Sequence, residues 1–203
     1  MANAYCTTEE FARHIRLDGG DSIDSDKAYL AVEAAARQID RHTGWRHGFW
    51  QDAAVVTREF HADSSTCCYV EEGISTTSGL IVKIDDGDDG TFATTLTLGT
   101  DFVLLPANAA DQVPAEPYTE IVIVGSTGFP TGARPRVQVT AKFGWATTPV
   151  EVKQANLVQA ETLFKATATG AVQFGMDGVA IRMPALNWSA VALLEGYCKA
   201  RVG

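Results

Sequence analysis

The chain has 203 residues, 46% hydrophobic and 20% charged, the composition of a globular protein able to bury one or two cores. Its 16 Lys and Arg stand against 25 Asp and Glu, a formal net charge of -9. That balance argues against a protein that grips nucleic-acid phosphates, because such affinity comes from cations displacing counterions.

The opening MANAYCTTEEF lacks the basic-then-apolar pattern of a secretion signal, and no apolar run approaches the roughly 20 residues of a membrane span. The four cysteines, Cys6, Cys67, Cys68 and Cys198, form no C-x-x-C. They are expected to be reduced, in the cytosol or in an assembly built there. Thr7 with Glu10 three places on is a capping box, so a short helix is expected from 7 to about 17, ended by Gly19-Gly20. A longer helix is expected over 25–42. There Tyr29, Val32, Ala36 and Ile39 share a face with Leu30 and Ala35 beside it, while Lys27, Glu33, Arg37 and Arg41 face away. Gly44 is placed as its left-handed cap.

Short β-like runs follow at 55–60, 66–71, 80–85, 91–98, 102–105, 121–124 and 136–143, separated by Gly, Pro, Asn and Asp clusters. They predict a small sandwich or barrel inserted between helical segments. After Gly144 the period changes from alternating (Val137, Val139, Ala141, Phe143) to helical. Thr148 and Glu151 make a second capping box with Pro149 at the first helical position, which opens a helix over 148–169 that Gly170 stops. Leu157, Ala160 and Phe164 form its apolar ridge, flanked by Val150 and Leu163. A glycine-rich segment, 170–178, leads to a final helix over about 189–199 carrying Trp188, Val191, Leu194 and Tyr197, with Lys199 and Arg201 at its negative end.

The fold expected is therefore α+β: a helical bundle of two N-terminal and two C-terminal helices with an inserted antiparallel β domain. Its parts run 1–50, 51–146, 147–169 and 170–203.

Reactive chemistry is thin. "DDGDDG" at 85–90 has Gly87 where a calcium loop needs a third-position oxygen ligand, and Leu96 where it needs a bidentate Glu, so a solvated hairpin turn is expected. "GSTGFPTG" at 125–132 lacks the Lys-Ser/Thr ending of a phosphate loop. His14, His42, His47 and His61 are not at zinc-site spacing with each other or with Cys67-Cys68. A hydrolase using His61 or an Asp of the acidic turn is the remaining enzymatic reading, and nothing resembling a nucleophile elbow supports it. No catalytic residue, cofactor or metal site is expected.

The order of several weak motifs adds a resemblance. "AAARQIDRHTGW" at 34–45, Phe49, "VVTREF" at 55–60, "DDGDDGTF" at 85–92, "DFVLLPANA" at 101–109, "RVQVTAKFGWATTPVEVKQA" at 136–155 and "ALLEGY" at 192–197 together resemble the head-to-tail adaptor (head-tail connector) family of tailed phages. The resemblance covers most of the chain. It departs at Trp45, where members often carry Arg after the Thr-Gly.

The resemblance implies a non-enzymatic virion protein made in the host cytoplasm and placed in the neck. Such adaptors form a ring, usually dodecameric, beneath the portal protein after DNA packaging, and offer a surface to stopper, head-closure or tail proteins. DNA passes through the lumen without specific binding, and no membrane is involved. Because the family's C-terminal region commonly reaches the portal, Trp188, Val191, Leu194 and Tyr197 become the expected portal contacts. Thr7, Glu10, Gly44, Thr148 and Glu151 are expected to serve as structural caps. Another neck component, such as a stopper or tail-completion protein, is the alternative.

Overall fold

The computed structural model describes residues 4–15, 24–168 and 185–199. The expected Gly19-Gly20 stop, Gly170, the glycine-rich segment 170–178 and Arg201 lie outside them. The chain divides into two compact units, Met1–Arg46 with Thr148–Gly203, and His47–Thr147. The first is helical and the second is built of antiparallel sheets, which makes the fold α+β.

In the helical unit α1 (Thr8–His14) begins where Thr7 Oγ1 accepts from Glu10 N–H and the Glu10 carboxylate accepts from Thr7 N–H, so each satisfies a donor the other leaves open. Helix α2 (Ser25–Thr43) is capped by the Asp24 carboxylate at one end and by Gly44 at the other, in the left-handed region at φ 81°. Helix α3 (Val150–Ala168) begins after Pro149, whose carbonyl accepts from Lys153 N–H at 3.1 Å. Helix α4 (Trp188–Leu194) is capped by Asn187 and runs into a 3-10 turn, Glu195–Tyr197, so the last expected helix ends early. Helix α3 packs on α2, α4 and α1.

The buried face of α2 differs from the expected one. Ala28, Ala31, Val32, Ala35, Ala36 and Ile39 are inside, whereas Tyr29 is 39% and Leu30 64% exposed. The four buried alanines on this face let the α2 and α3 backbones approach closely, and the helix turns to present them. The larger neighbours at 29 and 30 are carried outward. Val150, expected to flank the α3 ridge, is likewise exposed. Cys6, Phe11, Ala160 and Leu163 complete the core, and Phe11 meets Phe164 edge-on with ring centroids 5.6 Å apart.

The β unit contains β1 (Val56–Phe60), β2 (Cys67–Ile74), β3 (Ile81–Ile84), β4 (Thr94–Leu96), β5 (Phe102–Leu105), β6 (Tyr118–Ile123) and β7 (Val137–Ala141). They pair as a four-stranded sheet in the order β1-β7-β3-β4 and a three-stranded sheet in the order β2-β6-β5. Their inner residues, among them Val70, Val82, Ile84, Phe102, Leu104, Ile121, Val137 and Val139, share one core, as in a sandwich. The register Val56↔Ala141 to Phe60↔Val137 keeps the alternation read from 136–143. Strand β4 is shorter than the run 91–98, because Thr91 N–H bonds the Asp89 carboxylate and Ala93 N–H turns back to Thr91 O. Strand β2 is longer: it bulges between Tyr69 and Ile74, and Ile74 then bridges Phe143 near the end of β7.

Candidate functional site

Residues 185–199 bring the expected portal contacts into two different environments. Trp188, at the first position of α4, is 80% exposed, and Val191 and Tyr197 are partly buried. Leu194 is fully buried with Ala190, so it fills the interior of the helical unit and is not offered to a partner. The helical period accounts for this split: 190 and 194 are one turn apart on the face that packs on α3, and 188 lies to the side.

The end of this segment is clasped to the C-terminus of α2. Lys199 N–H donates to Thr43 O at 2.9 Å, and Trp45 Nε1–H donates to Tyr197 O at 3.0 Å. The Lys199 ammonium stands 3.8 Å from the centroid of the Trp45 ring. Trp45 is thus a buried platform for a cation, and an arginine in its place would repel Lys199. Tyr197 Oη donates to Glu151 Oε2 at 2.8 Å, so Glu151, expected as a cap, ties the start of α3 to this segment.

Two buried amides on α3 form a polar seam that the apolar ridge did not disclose. Asn156 Nδ2 donates to Val32 O at 3.1 Å, and its Oδ1 accepts from Cys6 Sγ. Gln159 Nε2 donates to Gln38 Oε1 at 2.6 Å, and its Oε1 accepts from Asn187 N–H at 2.7 Å. The sequence signal was there: both amides fall at the spacing of Val152, Ala155 and Ala160, on the buried face. Burial without partners would be costly, so their pairing fixes which neighbours α3 accepts.

Around the C-terminal turn of α2, an open concavity of ≈ 470 Å³ is lined, among the described residues, by Arg37, Asp40, Arg41 and Arg46. Asp40 is only 5% exposed. Tyr5 Oη donates to its Oδ1, and Arg37 Nη1 stands 3.0 Å from its Oδ2 as an ion pair. Burial pushes the Asp40 carboxyl up to about 6, against the opposing effects of Tyr5 and Arg37.

In the β unit, Asp85 is buried at the base of the acidic turn. Its carboxylate accepts from Gly90 N–H at 2.9 Å, Asp89 N–H at 3.3 Å and Arg134 Nη2 at 3.1 Å, while Arg136 donates to its carbonyl. Burial alone would raise its pKa, but these hydrogen bonds and the two arginines bring it below the ordinary value. Asp85 is therefore a structural pin, not the solvated turn residue that was expected, whereas Asp86, Asp88 and Asp89 are exposed.

A second charged group gathers His47, Asp52, Arg58 and Glu72. His47 Nε2 lies 3.4 Å from Asp52 Oδ1, Arg58 Nη2 bonds Asp52 Oδ2 at 2.9 Å, and the Arg58 guanidinium lies 4.4 Å from the Phe143 ring centroid. Burial lowers the His47 pKa. Among the described residues no Ser, Thr or Cys side chain bonds this histidine, and the group pairs charges. His61 is exposed on the strand-end loop, with its carbonyl facing Cys68 Sγ at 3.6 Å. Burial raises the Cys6 and Cys68 thiols to about 12, which leaves them unreactive. Among the described residues no three His, Cys, Asp or Glu side chains stand together as a metal would require.

No protein-family model matches this sequence, and no curated protein does. Among solved structures the chain is similar to one in the neck of an empty gene transfer agent (GTA) particle computed with C6 symmetry, at 17% identity and TM-score 0.57, covering 98% of this chain and 91% of that one. It is similar to a chain in the virion of a native gene transfer agent particle at 21% identity and TM-score 0.54, with the same coverage of 98% and 91%. A chain in the neck of the native GTA particle computed with C12 symmetry gives 17% identity and TM-score 0.53, over 100% of this chain and 97% of that one. At these identities the likeness is one of fold, and it runs through both the helical and the β unit.

Proposed function

We propose that the protein is a structural component of the neck of a phage-like particle, a head-to-tail adaptor that forms a ring, a dodecamer, beneath the portal and presents a docking surface to stopper or tail proteins. The observation that carries this reading is the near full-length similarity of fold to chains from gene transfer agent necks. It is supported by side-chain clusters that, among the described residues, are engaged in ion pairs and caps. The acidic balance of -9 suits a wall past which DNA slides without adhering. In this reading Trp188 is the principal portal anchor, flanked by Val191 and Tyr197, because an exposed aromatic is the residue type most enriched among interface hot spots.

Negative-stain imaging of the purified protein mixed separately with portals and with tails tests the proposal. An adaptor adds a ring to portals, and Trp188→Ala weakens that attachment. Density on tails alone would assign the chain to a stopper or tail-completion role, and density on neither would overturn the neck reading.

A further inference from the structure

The four-stranded sheet turns Val82, Ile84, Val137 and Val139 into the core of the β unit, so the alternate residues of its strands form the opposite face. The strand registers order that face in rows. Thr57, Thr140 and Ile81 make one row across β1, β7 and β3, and Glu59, Gln138, Lys83 and Thr95 make the next, which extends onto β4. Thr57, Glu59, Ile81 and Thr95 are exposed, and Thr140, Gln138 and Lys83 are half-buried. The Thr57 and Thr140 hydroxyls lie 2.8 Å apart and bond each other, so the first row presents β-branched side chains whose polar groups are already paired.

The charges in the second row are placed for a copy of the same face. Glu59 and Lys83 stand on either side of Gln138, two strand spacings or roughly 10 Å apart. Neither takes part in an ion pair among the described residues. A partner surface of one sign would be attracted by one of them and repelled by the other, which disfavours DNA and any uniformly charged protein face. A second copy, related by a half-turn about an axis that runs parallel to β7 and above it, satisfies both. It sets its own Lys83 over Glu59 and its own Glu59 over Lys83. Gln138 then meets its equivalent, and an amide, being both donor and acceptor, can bond its own image. In the first row Thr57 falls over Ile81.

We propose that this sheet face packs on the same face of a second copy, as a two-fold dimer of the free chain held by Glu59–Lys83 pairs on both sides of Gln138. The contact is isologous, so each pair occurs twice and the surface is used up when the dimer forms. Neighbours in a ring of more than two subunits are not related by a half-turn, so the dimer belongs to the free chain and opens before a ring is built. The inference goes beyond the neck reading and does not depend on it. Each copy carries a net charge of -9, and that repulsion confines the dimer to high protein concentration.

Sedimentation velocity over a range of protein concentrations tests the dimer. The wild-type chain is expected to pass from monomer to dimer and no further. Glu59→Lys and Lys83→Glu each set like charges against each other at both contacts, and each should weaken the dimer by about tenfold or more. Mixed in equal amounts, the two variants should recover most of the wild-type association, because every contact between them is again of opposite sign. Ile81→Arg, at an exposed position, should weaken the dimer while leaving both charges in place. Circular dichroism and thermal melting should report folded variants, because Glu59 and Ile81 are exposed and Lys83 is half-buried. Should one variant unfold, the other two still decide. A wild-type chain that stays monomeric at the highest concentration, association beyond the dimer, folded variants that dimerise as the wild type does, or a mixture of folded variants no better than its parents would overturn the proposal.

Discussion

At the scale of single residues, the helical unit holds an ionisable group against its preference. Asp40 titrates near 6 in the folded protein against an ordinary value of 3.8. Between those two values the folded state binds more proton than the unfolded chain, so the stabilisation from protonated Asp40 is full below about pH 4 and is lost as pH rises through about 6. The difference amounts to about 3 kcal/mol as an upper figure. Chemical denaturation of the wild type and of Asp40→Asn at pH 4 and pH 7 should show the variant gaining relative stability at the higher pH. An unchanged difference would mean that Arg37 and Tyr5 compensate burial fully. Gly144 makes a different demand: at φ 95° a Cβ there would lie 1.9 Å from Trp50 O. Gly144→Ala should cost about 3 kcal/mol or more, because neither backbone can yield. Gly99→Ala, also at positive φ (82°) but with nothing within 4 Å, should cost only about 1 kcal/mol. Equal losses in urea titrations of the two would refute the steric account.

Elements show which apolar stripes are core and which remain outside. Helix α4 carries both kinds within one turn and a half, so its two ends should respond differently to truncation of a side chain. Leu194→Ala is expected to lower stability by about 3 kcal/mol, as a cavity-forming change in a closed core, and Trp188→Ala to change it by less than about 0.5 kcal/mol. Thermal melting of the two variants checks this. A large loss at Trp188 would place the indole in an intramolecular role and remove it as a portal anchor. The seam of Asn156 and Gln159 explains why α3 can hold α1, α2 and α4 in one arrangement: amide pairs have direction, whereas alanine contacts alone would permit sliding.

For the molecule as a whole, charge is the property with the longest reach. With 25 acidic against 16 basic residues, and with three of the arginines gathered in a hollow framed by Asp40, the protein should show no salt-sensitive affinity for duplex DNA. A gel shift at low salt that vanished steeply as salt was added would contradict both this and the proposed lumenal role. The same excess of negative charge keeps free copies apart, so a ring is expected to complete only where the portal holds subunits at high local concentration.

The sequence by itself determined the order and kind of the four helices and seven strands, because each is written in local terms. Alternating apolar residues mark the seven strands, and Thr7, Glu10 and Gly44 mark helix ends through backbone donors and φ values only a few residues away. It also carried Val137–Ala141 into α3 across Gly144, since a change of period is visible without knowing what either element packs against. Tertiary structure decided the rest. Which face of α2 turns inward depended on how closely α3 could approach its alanines, so Tyr29 and Leu30 went outside despite their hydrophobicity. Leu194 and Trp188 look alike in a helical stripe, and only packing on α3 separates them. The clasp of Trp45 with Tyr197 and Lys199 joins residues about 150 positions apart, and the hollow of Arg37, Arg41 and Arg46 exists only once the cap at Gly44 turns the chain. Such contacts are absent from local patterns because their free energy arises from desolvation and close approach, which no single segment possesses before the chain has folded.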